Sequence, residues 1–195
     1  MKLIVLLSAV LSLSACISMA SPRSLSVYQG QVQLRGAELG STQESIINAG
    51  VRQFSAQPSC EARKVGLGNQ RKAYLYEVCA FVPTSQEFAS APLSEATYHF
   101  IGGKLVRVDM RVKGGEQLAK EIADDFDQWL IQRAATATDN ASNQLPTNRP
   151  NNWPYNWQNA NELVSVRAAS GGNTGNVMVR LLQADLEQRV PWLAQ

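Results

Sequence analysis

The stretch from Ala96 to Val112 constrains this chain most. Tyr98-His99-Phe100-Ile101 runs into Gly102-Gly103, and Lys104-Leu-Val-Arg-Val-Asp-Met-Arg-Val112 follows. Two strand-type runs around a pair of glycines predict a β-hairpin. Side-chain parity then selects the loop, because successive residues of a strand face opposite ways. A two-residue turn sets Tyr98 and Phe100 on the face of Leu105, Arg107, Asp109 and Arg111. A three-residue loop over 102–104 with a glycine bulge sets them with Val106, Val108, Met110 and Val112. Only the second arrangement makes one clean apolar face, so it is the expected one. It leaves His99 on the other face, across from Arg107.

The apolar face needs a cover, and two segments supply it. Ser41-Thr-Gln-Glu44 fits a capping box, Ile46, Ile47, Val51 and Phe54 follow at helical spacing, and Pro58 marks the stop, which predicts a helix over 42–55. Glu116 to Arg133 carries Leu118, Ile122, Phe126, Trp129 and Leu130 as one stripe. Glu121, Asp124, Asp125 and Asp127 read as its solvated side. Further strand-like runs are Val27–Leu34, the hairpin Cys60–Val65 with Lys72–Val82, Leu163–Ala168 and Val177–Leu182. Residues 83–95 read as a loop, and 184–190 as a short helix. The predicted class is α+β, an antiparallel β-sheet with two helices packed on one face.

The N-terminus reads as an address. Met1-Lys2 precedes an apolar run from Leu3 to Ala15, a secretory signal that is shorter than the roughly 20 residues a membrane span needs. Leu13-Ser14-Ala15-Cys16 resembles the lipobox of bacterial lipoproteins. The resemblance implies that Cys16 is lipidated and begins the mature chain, and the absence of Asp after it implies outer-membrane sorting, facing the periplasm. The rival reading is ordinary cleavage after Ala20, which yields a soluble periplasmic or secreted protein. With Cys16 so used, two of the 3 cysteines remain. Cys60 and Cys79 fall on neighbouring strands of one hairpin, so an intra-domain disulfide is expected, contributing about 3 kcal/mol by the chain-entropy model. The organisation is therefore a signal peptide at 1–15, a lipidated tether at 16–24, an α+β core at 25–135, an Asn-, Pro- and Trp-rich loop at 136–161, and C-terminal strands at 162–195 that complete the core. Of the 12 Asn, 8 lie at 140–161, which marks that loop.

Several chemistries lack a carrier. Lys plus Arg is 18 against 16 Asp plus Glu, so no basic excess exists to neutralise nucleic-acid phosphates. One His rules out a multi-His metal centre. There is no Gly-x-Ser-x-Gly elbow or Ser-x-x-Lys pair. Gly66-Leu-Gly68 and Gly171-Gly-Asn-Thr-Gly175 lack the Lys-Ser/Thr that phosphate loops need. No cofactor, metal or catalytic residue is expected, and His99 reads as a sheet-surface residue.

Two features are candidates for binding. Trp153, Tyr155 and Trp157 alternate within a polar loop, where they either anchor a partner or fold back over the core. Arg107 and Arg111, with Asp109 and Lys113, line the polar hairpin face, which reads either as solvated sheet or as an edge that takes an added strand. The helix start and the Tyr-x-Phe-x-Gly-Gly-Lys-Leu hairpin over residues 36–112 resemble small outer-membrane lipoproteins of the SmpA/OmlA type, which accompany barrel assembly. That resemblance implies architecture and carries over no functional residue. The functional expectation is a non-enzymatic envelope lipoprotein that acts as a periplasmic binding or scaffold module, held to the membrane by its lipid and partnered by an envelope protein. The alternative is a periplasmic inhibitor or immunity protein against a lytic enzyme, with loop 146–159 entering a cleft.

Overall fold

In chain order the elements are β1 (Leu25–Tyr28), β2 (Gln31–Leu34), β3 (Ala37–Glu38), α1 (Gln43–Phe54), β4 (Ser59–Gly66), β5 (Ala73–Phe81), β6 (Glu87–Phe88), β7 (Ala91–Ile101), β8 (Lys104–Lys113), α2 (Glu116–Thr136), β9 (Tyr155–Gln158), β10 (Glu162–Ala168), β11 (Asn176–Gln183) and α3 (Leu186–Arg189). A computed structural model describes residues 25–28, 31–66, 73–89, 91–136, 155–158, 161–168 and 175–190. Cys16 and Trp153 lie outside the described residues, as do the side chains of Trp129 and Leu130. Among the described residues no helix is long and apolar enough to cross a membrane.

One antiparallel sheet runs in the order β4-β5-β7-β8-β11-β10-β9, with β6 paired to β7. A small meander, β1-β2-β3, forms a second sheet. The expected single strand over 27–34 is therefore a hairpin, with Leu25 opposite Leu34. The expected loop over 83–95 contributes β6 and the start of β7, and Phe88 and Leu93 are buried there.

The central hairpin reaches the predicted apolar face by another route. Ile101 pairs with Lys104, so the turn is two residues, Gly102-Gly103, both at positive φ (57° and 73°), as a hairpin turn matching strand twist requires. The parity correction lies inside β8. His99 pairs with Arg107 and Phe100 with Leu105, which leaves Val106 as an extra residue. A bulge sends two neighbouring side chains to one side, so Leu105 joins Tyr98, Phe100, Val108, Met110 and Val112 in the main core, while Val106 packs in a second cluster. The expected three-residue loop over 102–104 is thus replaced by a tight turn plus a bulge. A second irregularity, between Leu93 and Glu95, is held by Ser94 Oγ donating to the Arg111 carbonyl at 2.9 Å.

Both long helices cover the same face of the sheet. Ile46 and Phe54 of α1, and Ala119, Ile122, Ala123 and Phe126 of α2, belong to the main core with Phe81, Tyr98, Val164 and Val179. Helix α1 starts one residue later than expected. Thr42 is its cap, with Oγ1 accepting from the Ser45 amide at 3.3 Å. Ser41 is not free for that role, because its carbonyl accepts from the Leu105 amide and the Gln43 amide donates to Gly103. The segment before the helix extends the edge of β8, which β11 has by then left. The helix ends at Ser55 in the left-handed region (φ 51°), before Pro58. The meander packs on the same side: Val32, Leu34 and Ala37 are buried in the main core.

The disulfide is present. Cys60 and Cys79 are directly opposed across β4 and β5 and bonded with a Cα–Cα separation of 4.1 Å.

Candidate functional site

The face of the sheet away from α1 and α2 carries the chain's unusual chemistry. At one end Tyr76, Ile101, Val106 and Leu182 form an apolar cluster under Leu186 and Val190. Beside it the sheet buries charge. Arg107, Asp109, Arg180, His99 and Ser165 are between 4% and 8% exposed. The pleat explains the placement: Arg180 stands opposite Asp109 on β11, and His99 opposite Arg107 on β7.

Asp109 is the hub. Arg107 Nε donates to both its oxygens at 3.0 Å, and Arg180 Nε donates to Oδ1 at 2.8 Å. Burial alone would raise the Asp109 pKa, but the neighbouring His99, the hydrogen bonds from Arg107 and the charges of Arg107 and Arg180 outweigh it, so the carboxyl sits well below its ordinary range. Arg180 is lowered to about 10, first by burial, with Asp109 opposing. Arg167 is lowered as well, first by burial. Three guanidinium groups thus share the surroundings of one carboxylate, a pattern that demands saturated hydrogen bonding.

His99 closes the cluster. Its Nδ1 lies 2.8 Å from the Tyr76 hydroxyl, and its Nε2 lies 3.7 Å from Asp109 Oδ2. That second separation is beyond hydrogen-bond length, and Nε2 has no hydrogen-bond partner among the described residues. Burial dominates the His99 pKa and lowers it despite Asp109. Burial also raises the Tyr76 pKa. At neutral pH the imidazole is neutral and the phenol protonated. With the proton on Nε2 facing the carboxylate, Nδ1 accepts from Tyr76; this tautomer is assigned from the geometry. The Tyr–His–Asp line resembles a relay, yet its carboxylate is already committed to two guanidinium groups and its phenol is pushed away from ionisation. The arrangement positions protons and holds the face rigid.

The expectations for these residues change accordingly. Arg107 belongs to the interior and not to a solvated face, and β8 lies between β7 and β11, so it offers no free edge. Arg111 is half-exposed and 4.0 Å from Glu95. His99 is buried, not a surface residue. Tyr155 and Trp157 are not docking anchors: they form β9, pair with β10, and are 7% and 1% exposed. The Trp157 ring meets Phe126 edge-on with centroids 4.7 Å apart, and its Nε1 donates to Asp127 Oδ1 at 2.8 Å. An indole with an apolar body and one satisfied donor suits a core edge. Of the segment expected as a loop over 136–161, Thr136 belongs to α2 and Tyr155–Gln158 form β9, while 137–154 and 159–160 lie outside the described residues. Tyr76, Arg180 and Ser165 escaped the sequence reading. A lone Arg within the apolar run Val177–Leu182 was the available signal for a buried ion.

Two further places can meet a ligand or partner. A cavity of about 360 Å³ opens between α1 and the β2–β3 turn, lined by Arg35, Ile46, Gly50, Gln53 and Tyr98. Of the two arginines that line it, Arg35 and Arg52, the first is committed: Arg35 donates to the Glu87 carbonyl, stacks 5.6 Å over the Phe54 ring, and with the Gln53 amide turned to face it donates to that oxygen at 2.8 Å. The other place is the wing formed by β4 and β5. Seven of the eight residues of β4 are exposed. Leu75 (46%) and Val82 (68%) are the exposed large apolar residues among those described.

Compared with family models, with curated proteins and with solved structures, the chain matches none.

Proposed function

We propose that this chain is a non-enzymatic, lipid-anchored module of the bacterial cell envelope that binds a protein partner through the β4–β5 wing. The observation that carries the reading is the wing itself, a disulfide-braced strand pair with both faces of β4 open to solvent. The bridge fastens the exposed edge strand β4 to β5, whose Tyr76, Cys79 and Phe81 are buried, and bridges of this kind persist in oxidising compartments. The lipobox-like Leu13–Cys16 supports the same address, and multiple acyl chains would hold the protein firmly at a membrane. The buried Asp109 cluster supports binding over catalysis, since its groups are committed to one another.

Two measurements test the proposal. Intact mass and membrane fractionation should show an acylated N-terminal Cys16 retained with membranes, and Cys16→Ala should release the protein; unchanged mass and retention would remove the anchor. Affinity capture from envelope extracts should be lost with Leu75→Asp/Val82→Asp. Equal capture by the variant would remove the wing as the recognition surface.

A further inference from the structure

The outer edge of β4 has a geometry that selects its own partner. The Cα–Cα distance of 4.1 Å between Cys60 and Cys79 is the narrow spacing of a non-hydrogen-bonded antiparallel pair, which averages ~4.5 Å against ~5.5 Å for a hydrogen-bonded one. Cys60, and with it Ala62 and Lys64, therefore turn their backbone N–H and C=O groups away from β5. Among the described residues no other strand pairs with β4, and all three residues are exposed. A sheet edge left open in this way is a template for another strand.

We propose that the partner is a second copy of this chain, added antiparallel along β4 about a two-fold axis at Ala62. It rests on reading the wing as a recognition surface. The argument is one of register. Continuing the sheet through a two-fold axis requires paired residues to share a face, so the axis must pass through a residue. Placed at Glu61 it opposes two glutamates, and placed at Arg63 it opposes two arginines. Placed at Ala62 it sets Glu61 opposite Arg63 of the partner subunit, and Arg63 opposite Glu61 of the partner subunit. Both pairs occupy non-hydrogen-bonded sites, where side chains approach closest. Ala62 meets its own copy at the axis with the smallest chiral side chain, and the two backbones exchange reciprocal hydrogen bonds there. On the opposite face Cys60 falls across from Lys64, so no like charges meet. Edge charges commonly serve to block pairing; here the same charges are complementary in one register and repulsive in the registers one residue to either side.

Sedimentation velocity on the full mature chain tests this, with detergent present if lipid is attached. A dimer is expected for the wild type. Glu61→Arg and Arg63→Glu should each weaken it on the order of tenfold or more, because each single reversal turns two attractive pairs into two repulsive ones. The double swap Glu61→Arg/Arg63→Glu should restore it. Ala62→Pro removes an outward N–H without touching the β4–β5 ladder, so it should give a monomer with unchanged near-UV dichroism and Tm. A wild-type monomer at concentrations on the order of 100 μM, or a dimer indifferent to the single reversals, overturns the proposal. A monomer that still captures an envelope protein through Leu75 and Val82 overturns the dimer and leaves the binding module standing.

Discussion

Replacing Asp109 by Asn tests the buried cluster most directly. The two side chains are nearly the same size, so packing is preserved and the change is one of charge. What remains is Arg107 and Arg180, 8% and 4% exposed, facing each other without the carboxylate that now accepts at 3.0 Å and 2.8 Å. Removing one member of a buried ionic set costs about 3–5 kcal/mol, because an uncompensated charge stays behind. That is a large part of the roughly 5–15 kcal/mol available to a domain. Equilibrium urea unfolding followed by tryptophan fluorescence should show the unfolding free energy falling by that amount, read as a midpoint lowered by that amount divided by an unchanged slope m. The companion variant Arg107→Met/Asp109→Leu/Arg180→Met removes all the charges together and should recover most of the loss. If Asp109→Asn costs less than about 1 kcal/mol, the value of a solvated surface pair, the carboxylate is not the buried hub described above.

Three other expectations follow from the same geometry. His99 is held below its ordinary pKa, so between that depressed value and about 6.5 the unfolded chain binds the extra proton and the folded one does not; stability should fall as pH drops below about 6.5, by up to ~1.4 kcal/mol per pH unit, and His99→Phe should flatten that slope in urea titrations at pH 5 and 7. Asp109, also depressed, adds a second loss in the same direction below about pH 4. Gly50→Ala should lower stability by about 1–3 kcal/mol, because its Cβ would lie 2.6 Å from Phe81 Cζ and that ring is wedged between Phe54 and Tyr98; an unchanged or raised Tm would show that the ring yields. Cys60→Ser/Cys79→Ser opens a bridge across a separation of 19 residues and should cost about 3 kcal/mol by the chain-entropy model, read as the shift in urea midpoint between the variant and the oxidised wild type.

The α+β class and the placement of both helices on one face were legible because the sequence patterns are long. Leu118, Ile122 and Phe126 repeat over a whole helix, and the hairpin alternates on both sides of its glycines. The face of Tyr98 and Phe100 was legible too, but its cause was not. Parity shows that one residue must be absorbed somewhere; it does not say whether the loop or the strand absorbs it, and Val106 absorbs it because an apolar cluster waits on the other side. The cysteine bridge could be read from two residues flanking one turn. Burial of Arg107 and Asp109 could not, since an alternating polar face looks the same over water as over Arg180, which lies 71 residues away from Asp109. Trp157 was hidden for a related reason: its polar surroundings in sequence are replaced in space by Phe126 and Asp127.

The Glu162 carboxylate accepts from the Val32 amide through both oxygens, at 3.2 Å and 3.0 Å, across 130 residues of chain. It fastens the first sheet to one of the last strands. A ribosome or a secretion channel delivers the N-terminal end first, so the meander arrives long before its attachment point exists. Until β10 emerges, Val32 and Leu34 have no finished core to enter. Closure of the fold is therefore a late event of high contact order, and a chain interrupted before residue 162 would leave its N-terminal strands exposed to whatever holds unfolded segments during synthesis.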